Sequence, residues 1–266
     1  MRNRLGILVA VTGLVTLVVL RSVDRAEPAP SPSPSPVFQD IALYERRASE
    51  DPLSAADRAV LARLYLQWGR ETGEYSHFQR AEKAARASLG LRRDRNQGSM
   101  LSLASSLLAQ HRFLEARRAA EELVAAEPEQ IGARALLAEI VLELGDYTAA
   151  DLEFALLEPF QENLAVAPRL ARWHELHGRN EKAGAILLRS AEAAGRRTDL
   201  PSEQSAWFFL RLADHALRNG RLGQVERAIE AGLALNPDDA RLRSIRARLA
   251  GARGQWREVL MEVAEL

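Results

Sequence analysis

The chain has no cysteine among its 266 residues. That excludes thiol nucleophiles, thiolate metal sites, disulfides and a lipidated cysteine, and it fits an oxidising compartment. Net formal charge is absent too, because 36 basic residues balance 36 acidic ones. A chain without a basic excess carries no electrostatic footprint for nucleic acid. Lysine is nearly missing: Lys83 and Lys182 stand alone, and arginine supplies the remaining positive charge. Signals for chemistry are equally thin. There is no Gly-x-Ser-x-Gly elbow and no glycine loop suited to cradling phosphate. Histidines occur only at 77, 111, 174, 177 and 215. His174-Glu175-Leu176-His177 sets two imidazoles three residues apart on one helix face, whereas the metalloprotease pattern sets them four apart. His177 directly precedes Gly178 and reads instead as a helix-end group facing the last carbonyls. No catalytic residue, metal ligand or cofactor is assigned. Glu121-Glu122 and Arg92-Arg93-Asp94-Arg95 read as solvated faces and loops.

What the chain does contain is a period. Ala116 and Ala150 are 34 residues apart, Ala150 and Ala183 are 33, and Val225 and Val259 are 34. Three residues before each small residue sits a larger side chain: Phe113, Tyr147, Asn180, Leu222, Trp256. Two before that comes a turn residue: His111, Gly145, Gly178, Gly220, Gly254. A fixed period of this length marks stacked supersecondary units, each too small to bury its own apolar face.

The repeating residues resemble the tetratricopeptide repeat (TPR) family. Its pattern is a Leu-small pair in a first helix, a glycine turn, an aromatic, a small residue three later and often a closing proline. One copy runs Leu212-Ala213, Gly220, Leu222, Val225, Ile229, Gly232, Leu235 and Asn236-Pro237. Others are Leu137-Ala138, Gly145, Tyr147, Ala150, Phe154; Leu103-Ala104, Phe113, Ala116, Glu127-Pro128; and Leu170-Ala171, Gly178, Ala183. Leu61-Ala62, Tyr65, Gly69, Phe78 and Ala81 read as a first copy with seven extra residues in its turn. Ile245-Arg246-Ala247, Gly254, Trp256 and Val259 read as a sixth. The resemblance implies an all-α chain: a right-handed superhelical solenoid of about six helical hairpins over 37–266, preceded by an N-terminal membrane helix and a Pro/Ser linker. A short leading helix is expected over 40–49, with Ile41 and Tyr44 on one face. Ser54-Ala55-Ala56-Asp57 resembles a capping box opening the array. The run 196–201 lengthens one connection.

The N-terminus sets the expected compartment. Arg2 and Arg4 precede an uncharged run from Leu5 to Leu20, closed by Arg21. Sixteen helical residues span about 24 Å, at the short end for a membrane helix. Residues 1–25 are read as an anchor, with a cleaved signal peptide as the alternative; no Ala-x-Ala cleavage pattern follows the run. Arg2, Arg4 and the free amine, opposed by Arg21 and Arg25, place the N-terminus in the cytoplasm and the repeats outside the membrane, in a periplasm. Residues 26–36 alternate proline and serine and would extend about 30 Å as a semi-rigid spacer.

In TPR proteins the first helices of successive hairpins line a concave groove that holds a peptide or helix. Carrying the groove-facing offsets onto this register selects Ser105, Leu108, Glu139, Glu143, Arg172, Glu175, Trp207, Leu210, Asp214 and Arg218. The set is mixed in charge with an apolar end, and it lacks the cation cluster needed to capture a C-terminal carboxylate. In Trp207-Phe208-Phe209 successive residues step by about 100° around a helix, so all three cannot face one core. Phe209 is expected inside its hairpin and Trp207 in the groove; the alternative has Trp207 sealing the preceding hairpin. At the C-terminus Val259, Val263 and Leu266 are expected inward, and Leu260 and Met261 elsewhere. That end would then carry either a frayed turn or a homodimer contact. The expected function is a non-enzymatic scaffold with a protein or peptide partner, anchored in the cytoplasmic membrane. The alternatives are an accessory factor in envelope or cytochrome c biogenesis, which the anchored TPR subunits of that machinery resemble, and an enzyme of unknown type.

Overall fold

The computed structural model describes residues 36–264. Contacts divide the chain between Gln39 and Asp40. Of the first unit only 36–39 are described, and they open helix α1 (Pro36–Glu50). The expected anchor, the linker before Pro36 and Leu266 lie outside the described residues. No helix among the described residues is long and apolar enough to cross a membrane.

The second unit is a row of helical hairpins. α2 (Ala55–Thr72) pairs with α3 (Tyr75–Leu91), α4 (Gln97–Ala109) with α5 (Phe113–Ala126), and α6 (Ile131–Glu143) with α7 (Tyr147–Leu157). A 3-10 turn (Glu158–Phe160) follows α7; then α8 (Ala167–Leu176) pairs with α9 (Asn180–Gly195), α10 (Ser202–Arg218) with α11 (Leu222–Leu235), and α12 (Ala240–Ala252) with α13 (Trp256–Ala264). The described residues contain no strand. First helices touch one another, α2 with α4, α4 with α6 and α10 with α12, while second helices meet only first helices to a comparable degree. Closer approach on the first-helix side makes that face the concave one.

Local chemistry accounts for the boundaries. Ser54, Asp146 and Asp239 are N-caps whose side chains accept backbone N–H groups of the first turn. Five hairpin turns close on glycines with φ between 69° and 78°, and His111 takes the same left-handed position at φ 57° in the remaining one. Small residues sit where helices approach most closely, so Ala116, Ala150, Ala183 and Val225 are fully buried. One continuous apolar core runs from Ala104 to Leu249 through Leu107, Phe154, Leu170 and Ile186.

Four local expectations need correction. Gly69 is not the first turn: it lies inside α2, and the turn glycine is Gly73, φ 73°. The extra residues of hairpin I lengthen α2 instead of its loop. Gly69 is required by packing, because a Cβ there would lie 2.8 Å from the Phe78 ring. Among the aromatics 207–209, Phe208 is the buried one, whereas Phe209 is half-buried. Phe209 is seated against Gly195 of the preceding hairpin and Gly232 of its own, where added Cβ atoms would come within 3.1 Å of it. At the C-terminus Val263 is 56% exposed rather than inward, because Glu262 takes the inner position and pairs with Arg246 at 2.7 Å. The leading helix starts four residues earlier than expected, at Pro36, a residue tolerated in a first turn.

Candidate functional site

The concave face is built by α4, α6, α8, α10 and α12, and most of the selected charges meet there in pairs. Arg169 on α8 donates to Glu139 on α6 at 2.7 Å, and Arg172 pairs with Glu143 one turn further on. Glu175 on α8 accepts from His215 Nδ1 on α10 and takes Arg218 Nη2 at 3.1 Å on both oxygens. Asp214 is bound by Arg218 on its own helix at 3.1 Å and by Arg248 on α12 at 3.3 Å. Acid and base therefore alternate from one first helix to the next, forming a ladder that neutralises itself.

Burial strengthens the centre of the ladder. His215 is fully buried and Glu175 nearly so. Burial pushes the Glu175 carboxyl up, but the His215 hydrogen bond and Arg218 outweigh it and hold the group below its usual range. The other ring nitrogen of His215 has no hydrogen-bond partner among the described residues. It fits where Gly184 lacks a side chain, since a Cβ there would sit 2.9 Å from Nε2.

The apolar members behave differently. Ser105 is only 8% exposed and joins the packing instead of the groove surface. Leu108 and Leu210 are half-buried against the core. Trp207 is half-buried, with its ring edge-on to Phe208 at 5.2 Å between centroids.

Arg169, His215 and Arg248 were not among the selected residues. Arg248 follows Ala247 as Arg172 follows Ala171 and Asp214 follows Ala213; extending that offset to the last hairpin finds it. The same offset in the first hairpin gives Arg63. Arg169 and His215 lie one position off that stripe, and only the crossing of neighbouring helices brings them in.

The lengthened α2 carries two further charged groups. Its last turn carries Arg70, which is exposed to solvent yet partly desolvated. Desolvation and repulsion from Arg169 lower its affinity for the proton, and Glu139 opposes them. Burial raises the neighbouring Glu71 carboxyl; its Gln67 hydrogen bond opposes, and Glu203 on α10 and Arg241 on α12 act on it in opposite senses.

His174 and His177 do not converge. Both rings lean on Trp173, at 4.9 and 4.8 Å between centroids, and face different carboxylates. His174 Nε2 lies 2.9 Å from Glu158, and His177 Nε2 lies 3.3 Å from Asp151. Burial drives the His174 pKa down to about 4, with Glu158 opposing, so this imidazole is neutral near pH 7.

No protein-family model and no curated protein matches the sequence. Solved structures do. One chain of the APC/C hetero-tetramer Cut9-Hcn1 aligns with a TM-score of 0.67 at 12% identity, over 86% of this chain and 43% of that one. This chain thus spans less than half the length of that relative. A tetratricopeptide repeat protein of Parabacteroides merdae ATCC 43184 aligns with a TM-score of 0.55 at 16% identity, over 85% and 84%. TTC0263, a thermophilic TPR protein of Thermus thermophilus, aligns with a TM-score of 0.54 at 18% identity, over 72% and 98%. Identities this low speak for architecture and leave activity open. The second unit of this chain has the tetratricopeptide-repeat fold, a solenoid of six stacked helical hairpins.

Proposed function

We propose that the chain is a non-enzymatic protein-binding scaffold whose concave groove holds a segment of a partner. The observation that carries this reading is the row of mutually paired charges on successive first helices, with the half-buried Trp207 on one of those helices. Large amphipathic aromatics are over-represented among residues that dominate binding. Charges already satisfied within the chain present a polar wall without demanding neutralisation. The uncharged run 5–20, flanked by arginines, supports single-pass anchoring in a cytoplasmic membrane. In this reading the N-terminus is cytoplasmic, the Pro/Ser spacer follows, and the solenoid stands in the periplasm.

The test is capture of partners from detergent-solubilised envelopes by the full chain and by Trp207→Ala. A partner held by the first and lost by the second, with thermal stability matched, supports groove binding. Equal capture by both would move the interaction to the convex face. Cleavage of the repeats by protease added outside intact spheroplasts tests their placement.

A second copy of the chain is a further partner in this reading. Trp256, Leu260 and Val263 follow one another at spacings of four and three along α13 and are 69%, 73% and 56% exposed. Such a stripe is wide enough to seat a like helix. Sedimentation showing only monomer at high micromolar concentration would remove it.

A further inference from the structure

The second helices of the last two hairpins leave a groove between them. α11 and α13 form its walls and α12 its floor, around a volume of about 680 Å³. Leu233 on α11, Leu249 on α12 and Met261 on α13 give it an apolar bed. Leu249 lines this groove, whereas Arg248 beside it joins Asp214 on the concave face. The groove thus belongs to the second-helix side of the solenoid.

Its lining holds four carboxylates and two guanidinium groups. Arg246 pairs with Glu262 at 2.7 Å. Arg253 gives both terminal nitrogens to Glu226, at 3.2 and 2.8 Å. Glu230 on α11 and Glu258 on α13 are left over. Both are exposed, and among the described residues neither has a cation within ion-pair distance. Neighbouring arginines do not serve them. Arg227 runs back along its own helix, where a Cβ on Gly223 would lie 3.8 Å from its Nη1. Arg257 adjoins Glu258, so the two side chains point apart. Arg253 attracts Glu258 from beyond ion-pair distance, and the contact Glu258 makes is with the Gln255 amide at 2.9 Å.

Acceptors are in excess as well. Glu262 Oε2 and Gln255 Oε1 are buried without a hydrogen-bond donor among the described residues. The groove therefore combines an apolar bed, an uncompensated carboxylate on each wall and two idle acceptors. A side chain with a long aliphatic stem and a cationic, donor-rich head matches all three. An acidic segment would be repelled, and an apolar one would leave the acceptors without donors.

We propose that this groove is a second interaction surface, taking a basic polypeptide segment of a partner. Its arginine or lysine stems lie on Leu233, Leu249 and Met261, and their heads reach Glu230 and Glu258. The surface is separate from the concave groove, so either can fail its test without the other.

The probe is a fluorescent ten-residue Gly/Ser peptide bearing four arginines, titrated against the full chain in neutral detergent and followed by anisotropy. Its twin carries glutamine at the same four positions. The basic peptide is expected to bind at least about tenfold more tightly than the twin and to weaken as salt rises. The double variant Glu230→Gln, Glu258→Gln should lose about tenfold in affinity, and each single variant less. Glu192→Gln, on the exposed face of α9, should change nothing. Equal binding of the two peptides, no binding at about 1 mM, or an unaltered affinity in the double variant overturns the proposal. Spermidine binding as tightly as the peptide would also overturn it, assigning the groove to a small organic cation. Neither glutamate has an ion pair to lose, so the variants should fold normally, and circular dichroism checks this.

Discussion

Glu175 on α8 and His215 on α10 are 40 residues apart and joined by a hydrogen bond inside the solenoid. The bond joins two successive hairpins, beside the Arg218–Glu175 ion pair. With Glu175 ionised, His215 Nδ1 must carry the proton, which fixes the tautomer. Glu175→Ala would strand a buried imidazole and release Arg218. A loss of about 2–4 kcal/mol is expected, read from the urea midpoint. Glu175→Gln should lose less, because an amide oxygen still accepts from Nδ1. An unchanged midpoint for the alanine variant would show that the pair contributes nothing net.

His174 makes stability depend on pH. Its pKa falls to about 4 in the folded chain, against about 6.5 when unfolded. Between those values the unfolded chain binds the additional proton, so stability rises with pH. It is complete above about 6.5 and is lost progressively as pH falls toward 4, by up to about 3 kcal/mol. Urea midpoints measured from pH 7 to 4 should decline, and His174→Phe should flatten that decline. A wild-type midpoint constant across this window would contradict the burial of a neutral imidazole.

Gly232 marks the tightest helix approach in the fifth hairpin. An added methyl would lie 2.6 Å from Leu242 Cδ1 and 3.1 Å from Phe209 Cβ. Leu242 is fully buried and has little room to move aside. Gly232→Ala should therefore destabilise by about 1–3 kcal/mol despite alanine's better helix propensity. Calorimetry showing a higher melting temperature would mean that α11 and α12 slide apart without cost.

His111 occupies the left-handed turn position where four later hairpins use glycine. A Cβ in that conformation costs about 1–2 kcal/mol, partly offset here by the edge-on contact with Phe113 at 5.5 Å. His111→Gly should stabilise by about 0.5–1 kcal/mol. A lower melting temperature would assign the ring contact more weight than the backbone strain.

The hairpins were legible because their causes are local. Gly145, Gly178, Gly220 and Gly254 mark chain reversals that each require φ above zero, and the buried alanines recur at the period of one hairpin. The first hairpin misled because two glycines compete. Gly69 fits the family register, but its role is to admit the Phe78 ring, and Gly73 four residues later makes the turn. Nothing in the local pattern distinguishes a glycine needed for its backbone from one needed for its missing side chain.

The binding face was legible only in part. Counting offsets along first helices places Glu139, Arg172, Glu175 and Asp214 on one side. It does not show that these residues pair with one another, since the partners on neighbouring hairpins lie 29 or more residues away. The sequence by itself determined the repeat unit, the turns and the small residues at helix crossings, because each depends on neighbours within one or two helical turns. The tertiary structure alone decided which charges cancel and which remain. Whether Glu175 meets His215 depends on how α8 and α10 cross, and no single repeat contains that information.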